Sequence, residues 1–90
     1  MPYIPKSEKD KVDQRLPALH LLELENAGQL NYAIHQLISQ YISHNNDEYQ
    51  TYNDIIGALD CVKMEFYRRV ISPYEDKKIL QNKDVPPYDK

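Results

Sequence analysis

Residues 30–42, LNYAIHQLISQYI, decide the architecture of this chain. Leu30, Ile34, Leu37, Ile38, Tyr41 and Ile42 recur at spacings of three and four, which sets them along one face of an α-helix. The spacing predicts a helix from about Gln29 to Ser43. Upstream, Asn26-Ala27-Gly28 reads as a break, with Gly28 free to take a left-handed or otherwise open conformation. Downstream, His44-Asn45-Asn46-Asp47-Glu48 is a polar connection.

The next stretch carries the same periodicity. Thr51 opens a second long helical pattern, with Asp54 three residues on as its capping partner. Ile55, Leu59, Val62, Phe66 and Val70 form the stripe, widened by Ile56 and Cys61. This helix is expected to end near Ile71, because Pro73 disfavours helical geometry at Ser72. Ser72-Pro73-Tyr74-Glu75 then reads as a fresh start: serine as cap, proline at the first position, glutamate reaching back. A short helix from about Pro73 to Gln81 follows. Asn82 is expected to take the terminating conformation, and residues 83–90 form an extended tail. At the other end, the prolines of Met1-Pro2-Tyr3-Ile4-Pro5-Lys6 make residues 1–6 an extended arm. Ser7, with Asp10 as capping partner, starts a short helix to Val12 or Asp13. Pro17 suits the first turn of another, reaching about Glu25 on Leu16, Leu19, Leu22 and Leu24.

These elements predict an all-α domain spanning residues 1–90, an antiparallel helical hairpin of two long helices with shorter flanking ones. Two helices cannot enclose a core, so the hairpin is expected to assemble with further copies as an oligomeric bundle. A chain of this size buries only about 60–68% of its unfolded surface, which leaves a thin margin of stability. Cys61 is the lone cysteine, so no disulfide can form within the chain, and a reducing cytoplasm is the expected compartment. No signal-peptide pattern is visible, and no apolar run approaches the ~18 residues of a membrane helix.

The net charge is −3. Residues 1–45 hold four Lys/Arg against five Asp/Glu, and residues 46–90 hold seven against nine. Neither half is the basic face a nucleic-acid binder needs, so general nucleic-acid binding is not expected. Gly28 and Gly57 are the only glycines, which excludes Gly-rich phosphate loops and argues against a turn-rich β fold.

The densest polar segment runs from Lys63 to Asp84. Arg68 and Arg69 sit at the end of the second long helix, where cations complement the helix dipole. The functional alternative is that one of them recognises an anion, since the guanidinium fork matches carboxylate and phosphate. Tyr67 and Tyr74 flank the adjoining turn, either as packed corner residues or as a stacking platform beside arginine. Lys78 adds positive charge one turn on. Asn31 and Tyr32, close to the start of the first long helix, are a second polar spot, read either as capping and packing groups or as an anion site at a helix N-terminus. His20, His35 and His44 lack the four-residue spacing of a helical metal pair, and no E-x-x-H is present, so no metal site is expected. No cofactor-binding motif and no catalytic constellation are visible. Cys61 is expected to be a small core residue.

Several stretches together resemble a family. They are Pro2-Tyr3-Ile4-Pro5, Gly28-Gln29-Leu30-Asn31-Tyr32, Gly57 through Cys61-Val62-Lys63-Met64-Glu65-Phe66-Tyr67-Arg68-Arg69, Pro73-Tyr74-Glu75-Asp76-Lys77-Lys78-Ile79 and Asn82-Lys83-Asp84-Val85. Nearly the whole chain is similar to a domain-of-unknown-function family of about this length that recurs in tailed phages and prokaryotes. The resemblance implies a setting and carries no established activity. Lys83 departs from it, standing where glycine is expected. Small helical oligomeric phage proteins include sponges for host nucleotide signals, an analogy of size that directs attention to the Arg/Tyr cluster.

The leading expectation is a non-enzymatic helical binding module that self-associates and captures a small anionic, nucleotide-like ligand near a subunit interface. Arg68, Arg69, Tyr67, Tyr74, Lys78, Asn31 and Tyr32 would be its ligand-binding residues. The alternative is a protein–protein adaptor, with a host protein as partner and no small ligand. The third is a small enzyme acting on nucleotides through a shared active site, ranked last because the paired E-x-x-E and E-x-x-D of helical pyrophosphohydrolases are missing.

Overall fold

The computed structural model describes residues 3–16 and 18–90, and every regular element among them is helical. In chain order these are α1 (Lys6–Arg15), a short 3₁₀ turn (Leu19–Leu21), α2 (Ala27–His44), α3 (Tyr49–Phe66), a π turn (Tyr67–Ile71) and α4 (Ser72–Asn82). The all-α class read from the periodicity is the observed one. The chain divides into two units, residues 1–57 and 58–90, with the division inside α3.

In the first unit α1 starts directly after Pro5, whose carbonyl accepts from the N–H groups of Glu8 and Lys9. Ser7 therefore lies inside the helix, and Asp10 pairs with Lys6 at 3.0 Å instead of completing a box with Ser7. The helix runs on to Arg15, past the expected stop at Val12 or Asp13. The expected helix to Glu25 reduces to the one turn Leu19–Leu21, and Leu22 is extended. Pro2 and Pro17 lie outside the described residues. The reason for the short turn lies just downstream. Asn26 is the extended N-cap of α2, its Oδ1 accepting from the N–H of Gln29 at 2.9 Å. Gln29 reaches back to accept from the N–H of Glu25 at 2.7 Å. This reciprocal cap commits residues 25 and 26 to extended geometry.

Gly28 is thus not a break but the second residue of α2, with no positive φ. Its lack of a side chain matters for another reason: a Cβ there would stand 3.3 Å from the capping Oδ1 of Asn26. At its other end α2 closes on Asn45, whose N–H and Nδ2 both donate to the carbonyl of Tyr41, at 3.0 and 2.8 Å. After a four-residue connection α3 begins at Tyr49, two residues before the expected cap Thr51. Asp54 accepts from Gln50 Nε2 at 2.8 Å and caps nothing. Tyr52 donates to Asp47 across the start of this helix. That bond, more than desolvation or the carboxylate charge, raises the phenol above its ordinary range.

In the second unit the rest of α3 passes without interruption through the π turn into α4. Ile71 and Ser72 keep right-handed helical dihedrals, and neither caps anything through a side chain. The expected stop at Ile71 and the expected restart at Ser72 are therefore both replaced by a widened turn. The cause is Pro73. It has no N–H, and its ring needs room where the carbonyl four residues back would stand. The π turn supplies that room, with the N–H of Ser72 bonding the carbonyl of Tyr67 five residues back. α4 ends at Asn82, and it is Lys83, not Asn82, that takes the terminating conformation at φ 68° and ψ 164°. The tail has no regular structure over 83–85 and turns at 86–89, with the Tyr88 N–H donating to the carbonyl of Val85 at 2.8 Å.

Neither unit encloses a core. Among the described residues no hydrophobic side chain is buried, and Thr51, at 5% exposure, is the one buried residue. Ile34, Ile38, Ile42, Ile55, Leu59 and Cys61 are half-buried, so Cys61 lines a helix face and not an interior. Helix α2 pairs its apolar face with no other helix of the first unit; in the second unit the π turn and α4 are in contact. No helix among the described residues is long and apolar enough to cross a membrane.

Lys83 occupies backbone space that essentially only glycine visits freely, at a cost of order 1–3 kcal/mol. Lys83→Gly should therefore stabilise the protein by about 1 kcal/mol after glycine's own unfolded-state entropy is subtracted. Urea denaturation of both forms at one protein concentration checks this. A midpoint that stays put or falls would show that the strained geometry is not kept.

Candidate functional site

The polar cluster takes its form from the π turn. In an unbroken α-helix, residues eight apart are about 80° out of phase. The extra residue held in the wide turn cancels most of that offset, so Tyr67 and Glu75 come onto one face. The Tyr67 hydroxyl donates to Glu75 Oε1 at 2.5 Å. Glu75, the expected partner of a Ser72 cap, is spent on this bond. The bond to the carboxylate, then its charge, then desolvation push the Tyr67 phenol above its usual range.

Inside the turn, Arg68 and Arg69 both donate to the same oxygen of Glu65, which stands just before it. Glu65 lies three and four residues upstream, the spacings at which helix neighbours meet, with the acid N-terminal as the dipole prefers. The arginines are 66% and 58% exposed and Glu65 25%. Ion pairs at such exposure contribute about 0–1 kcal/mol each. Beyond the turn, Lys78 Nζ lies 5.5 Å from the centre of the Tyr74 ring, a cation–π contact between neighbours one turn apart.

Two shallow hollows of about 610 Å³ flank Tyr67. One is lined by Lys63, Met64, Tyr67, Arg68 and Ser72. The other lies between α4 and the tail, with Tyr67, Tyr74, Glu75, Asp76, Lys78 and Tyr88 among its lining residues. The expected set therefore divides. Tyr67 and Arg68 share the first hollow, Tyr67, Tyr74 and Lys78 share the second, and Arg69 lines neither. Asn31 and Tyr32 belong to the first unit, in the second turn of α2. The Asn31 carbonyl lies 2.9 Å from His35 Nδ1, and the Tyr32 hydroxyl accepts from Gln36 Nε2 at 2.7 Å. Among the described residues no group of three or more His, Cys, Asp or Glu could hold a metal ion.

Sequence reasoning placed Lys63 and Glu65 in the polar segment without a ligand role, and it missed Ser72 and the tail residue Tyr88 as site neighbours. The Glu65–Arg68–Arg69 spacing was a legible signal; the return of the tail had none. It also missed a larger hollow, about 940 Å³, in the first unit. There Leu16, Leu19, Leu22 and Leu24 face Leu30, Ile34 and Leu37 of α2, with Arg15 and Gln29 at the edge.

Comparison with known proteins gives a family. Residues 1–85 match the family described as a domain of unknown function, DUF6899, and the chain belongs to it. No curated protein and no solved structure matches.

The Tyr67–Glu75 bond generates a pH-dependent expectation. The folded pKa of the phenol is raised, so the bond's contribution is complete below the unfolded value of about 10 and is lost as pH rises through the folded one. Tyr67→Phe should lower the melting temperature by a few degrees at pH 7, and the difference should close in the alkaline range above pH ~10. A difference that persists or grows there would mean that the hydroxyl does not hold Glu75.

Proposed function

We propose that this member of the DUF6899 family is a non-enzymatic helical binding module that works as a self-associated assembly. The observation that carries the reading is that no described hydrophobic side chain is buried in a chain that is 41% hydrophobic. α2 and α3 each span about 27 Å and expose Leu30, Leu37, Tyr41, Val62 and Phe66 along their stripes. Isolated helices of this length are marginal in water, and their stability in proteins comes from covering an apolar face. Further copies of the same chain cover it by symmetry, each giving the patch that the other needs.

The polar end supports a second element of the proposal, capture of a small anion of nucleotide type. What favours it is the hollow that brings Lys63, Arg68 and Tyr67 together beside a carboxylate shared by two arginines. The phosphate of such a ligand would meet Arg68 and Lys63, and a ring would lie against Tyr67. A protein adaptor without a small ligand uses the same apolar stripes and leaves this hollow empty.

Sedimentation velocity tests the assembly. The expected result is a mass that is a multiple of 10.6 kDa, with a melting temperature that rises with protein concentration. A single species of 10.6 kDa that unfolds cooperatively at a concentration-independent temperature would overturn it. Isothermal titration with a panel of mononucleotides and cyclic dinucleotides separates the two elements. Capture predicts a heat that Arg68→Ala abolishes with helicity intact, and a flat titration leaves the adaptor.

A further inference from the structure

The α2 helix contains no Lys, Arg, Asp or Glu in its 18 residues, Ala27–His44. At the chain's 28% charged content, such a stretch would hold about five. Charge depletion with tyrosine and leucine present marks the core of an interface, whereas a solvated helix face keeps its charges. The helix also carries a seam. Ala27, Leu30, Ile34, Leu37, Tyr41 and His44 alternate at spacings of three and four, the repeat that winds two helices about each other. Leu30 and Leu37 on this seam are 51% and 58% exposed. Leu16, Leu19, Leu22 and Leu24 line a 940 Å³ hollow together with Leu30, Ile34 and Leu37 of this helix.

We infer that this groove receives α2 of a second copy, lying antiparallel. The inference rests on the self-association proposed above and names its contact. A helix without charges brings none that must be desolvated, and the uncharged α2 matches itself, whereas α3 carries Asp54, Asp60, Lys63 and Glu65. The antiparallel direction sets the positive end at Ala27 beside the negative end at His44, so the two dipoles attract. The seam is symmetric under that reversal. Ile34 of one chain meets Leu37 of the other, Leu30 meets Tyr41, and the small Ala27 meets the larger His44. The leucines of residues 16–24 then close over the outer side of the incoming helix.

Disulfide trapping in a Cys61→Ser background tests the contact and its direction. Leu30→Cys with Tyr41→Cys in one chain should give a covalent dimer on mild oxidation, while Leu30→Cys alone should not. A dimer from the single variant would establish parallel packing and overturn the inference. Absence of trapping in both, with the oligomeric mass retained, would overturn this contact and leave self-association standing. A 10.6 kDa monomer of the unaltered chain would overturn both. Hydrogen exchange of the unaltered protein guards against a variant that fails to fold. Amides of residues 27–44 should slow at least tenfold as concentration rises through the association range, and equal rates across that range would overturn the inference.

Discussion

Among the described residues neither unit has a dry interior, and that constraint governs the rest of the structure. What holds the described residues in place is local: reciprocal caps at Asn26 and Gln29, a doubly bonded Asn45, and side-chain pairs one turn apart such as Lys6–Asp10 and Gln50–Asp54. Contacts of this kind contribute a few tenths of a kcal/mol to about 1 kcal/mol each. Ordering a residue costs more than that, about 1–2 kcal/mol for the backbone alone. In the proposed assembly the difference would come from apolar surface leaving water, at roughly 25 cal/mol per Å². The surface available for it is the exposed stripes of α2 and α3 and the leucines of residues 16–24.

A second constraint, the proline ring of residue 73, shapes the polar end. Without a donor at that position and with a ring in the way, the helix either stops or widens. Widening keeps the axis continuous, leaves the glutamate that a restart would have used free to bond Tyr67, and brings α4 against the turn. The pieces of the polar end then share one origin. Glu65 meets Arg68 and Arg69 inside the turn, the Tyr67–Glu75 bond spans it through the added residue, and the Lys78–Tyr74 contact follows in α4, the helix that the turn keeps continuous.

How far these features were legible in the residues follows from which signals are ambiguous. The α2 and α3 patterns are long and periodic, so their existence and type were readable from Leu30 to Ile42 and from Ile55 to Val70. The Glu65–Arg69 pair was readable from spacing alone. The Ser72-Pro73-Tyr74-Glu75 stretch was misread because a capped restart and a proline-bearing wide turn use the same residues. Only the dihedrals of Ile71 and Ser72 separate them. Asn26 was overlooked because Gly28 drew the reading toward a break. The pattern Asn26-x-x-Gln29 nonetheless carried a capping signal. The leucines of 16–24 suggested a helix because leucine is a strong helix former. Commitment of Glu25 and Asn26 to the next helix left too short a run. Lys83 is the converse case: an expected glycine marked the place where a positive φ does occur.

The internal pairing of Arg68 and Arg69 bears directly on whether the polar end can hold a ligand. An exposed ion pair contributes about 0–1 kcal/mol. A hydrogen bond to a charged group contributes about 1.5–3 kcal/mol, and a phosphate presents several acceptors to one guanidinium fork. In the proposed capture, a phosphate with several acceptors would take the place of the shared Glu65 oxygen on the guanidinium fork of Arg68, while Arg69 kept Glu65. The carboxylate would then act as a placeholder, orienting Arg68 along the hollow that Lys63 and Tyr67 also line. The same reasoning separates the two ends of the chain. Charge is absent from α2, where another helix would have to strip its water. It is concentrated around the π turn and α4, where the charges are exposed and stay hydrated.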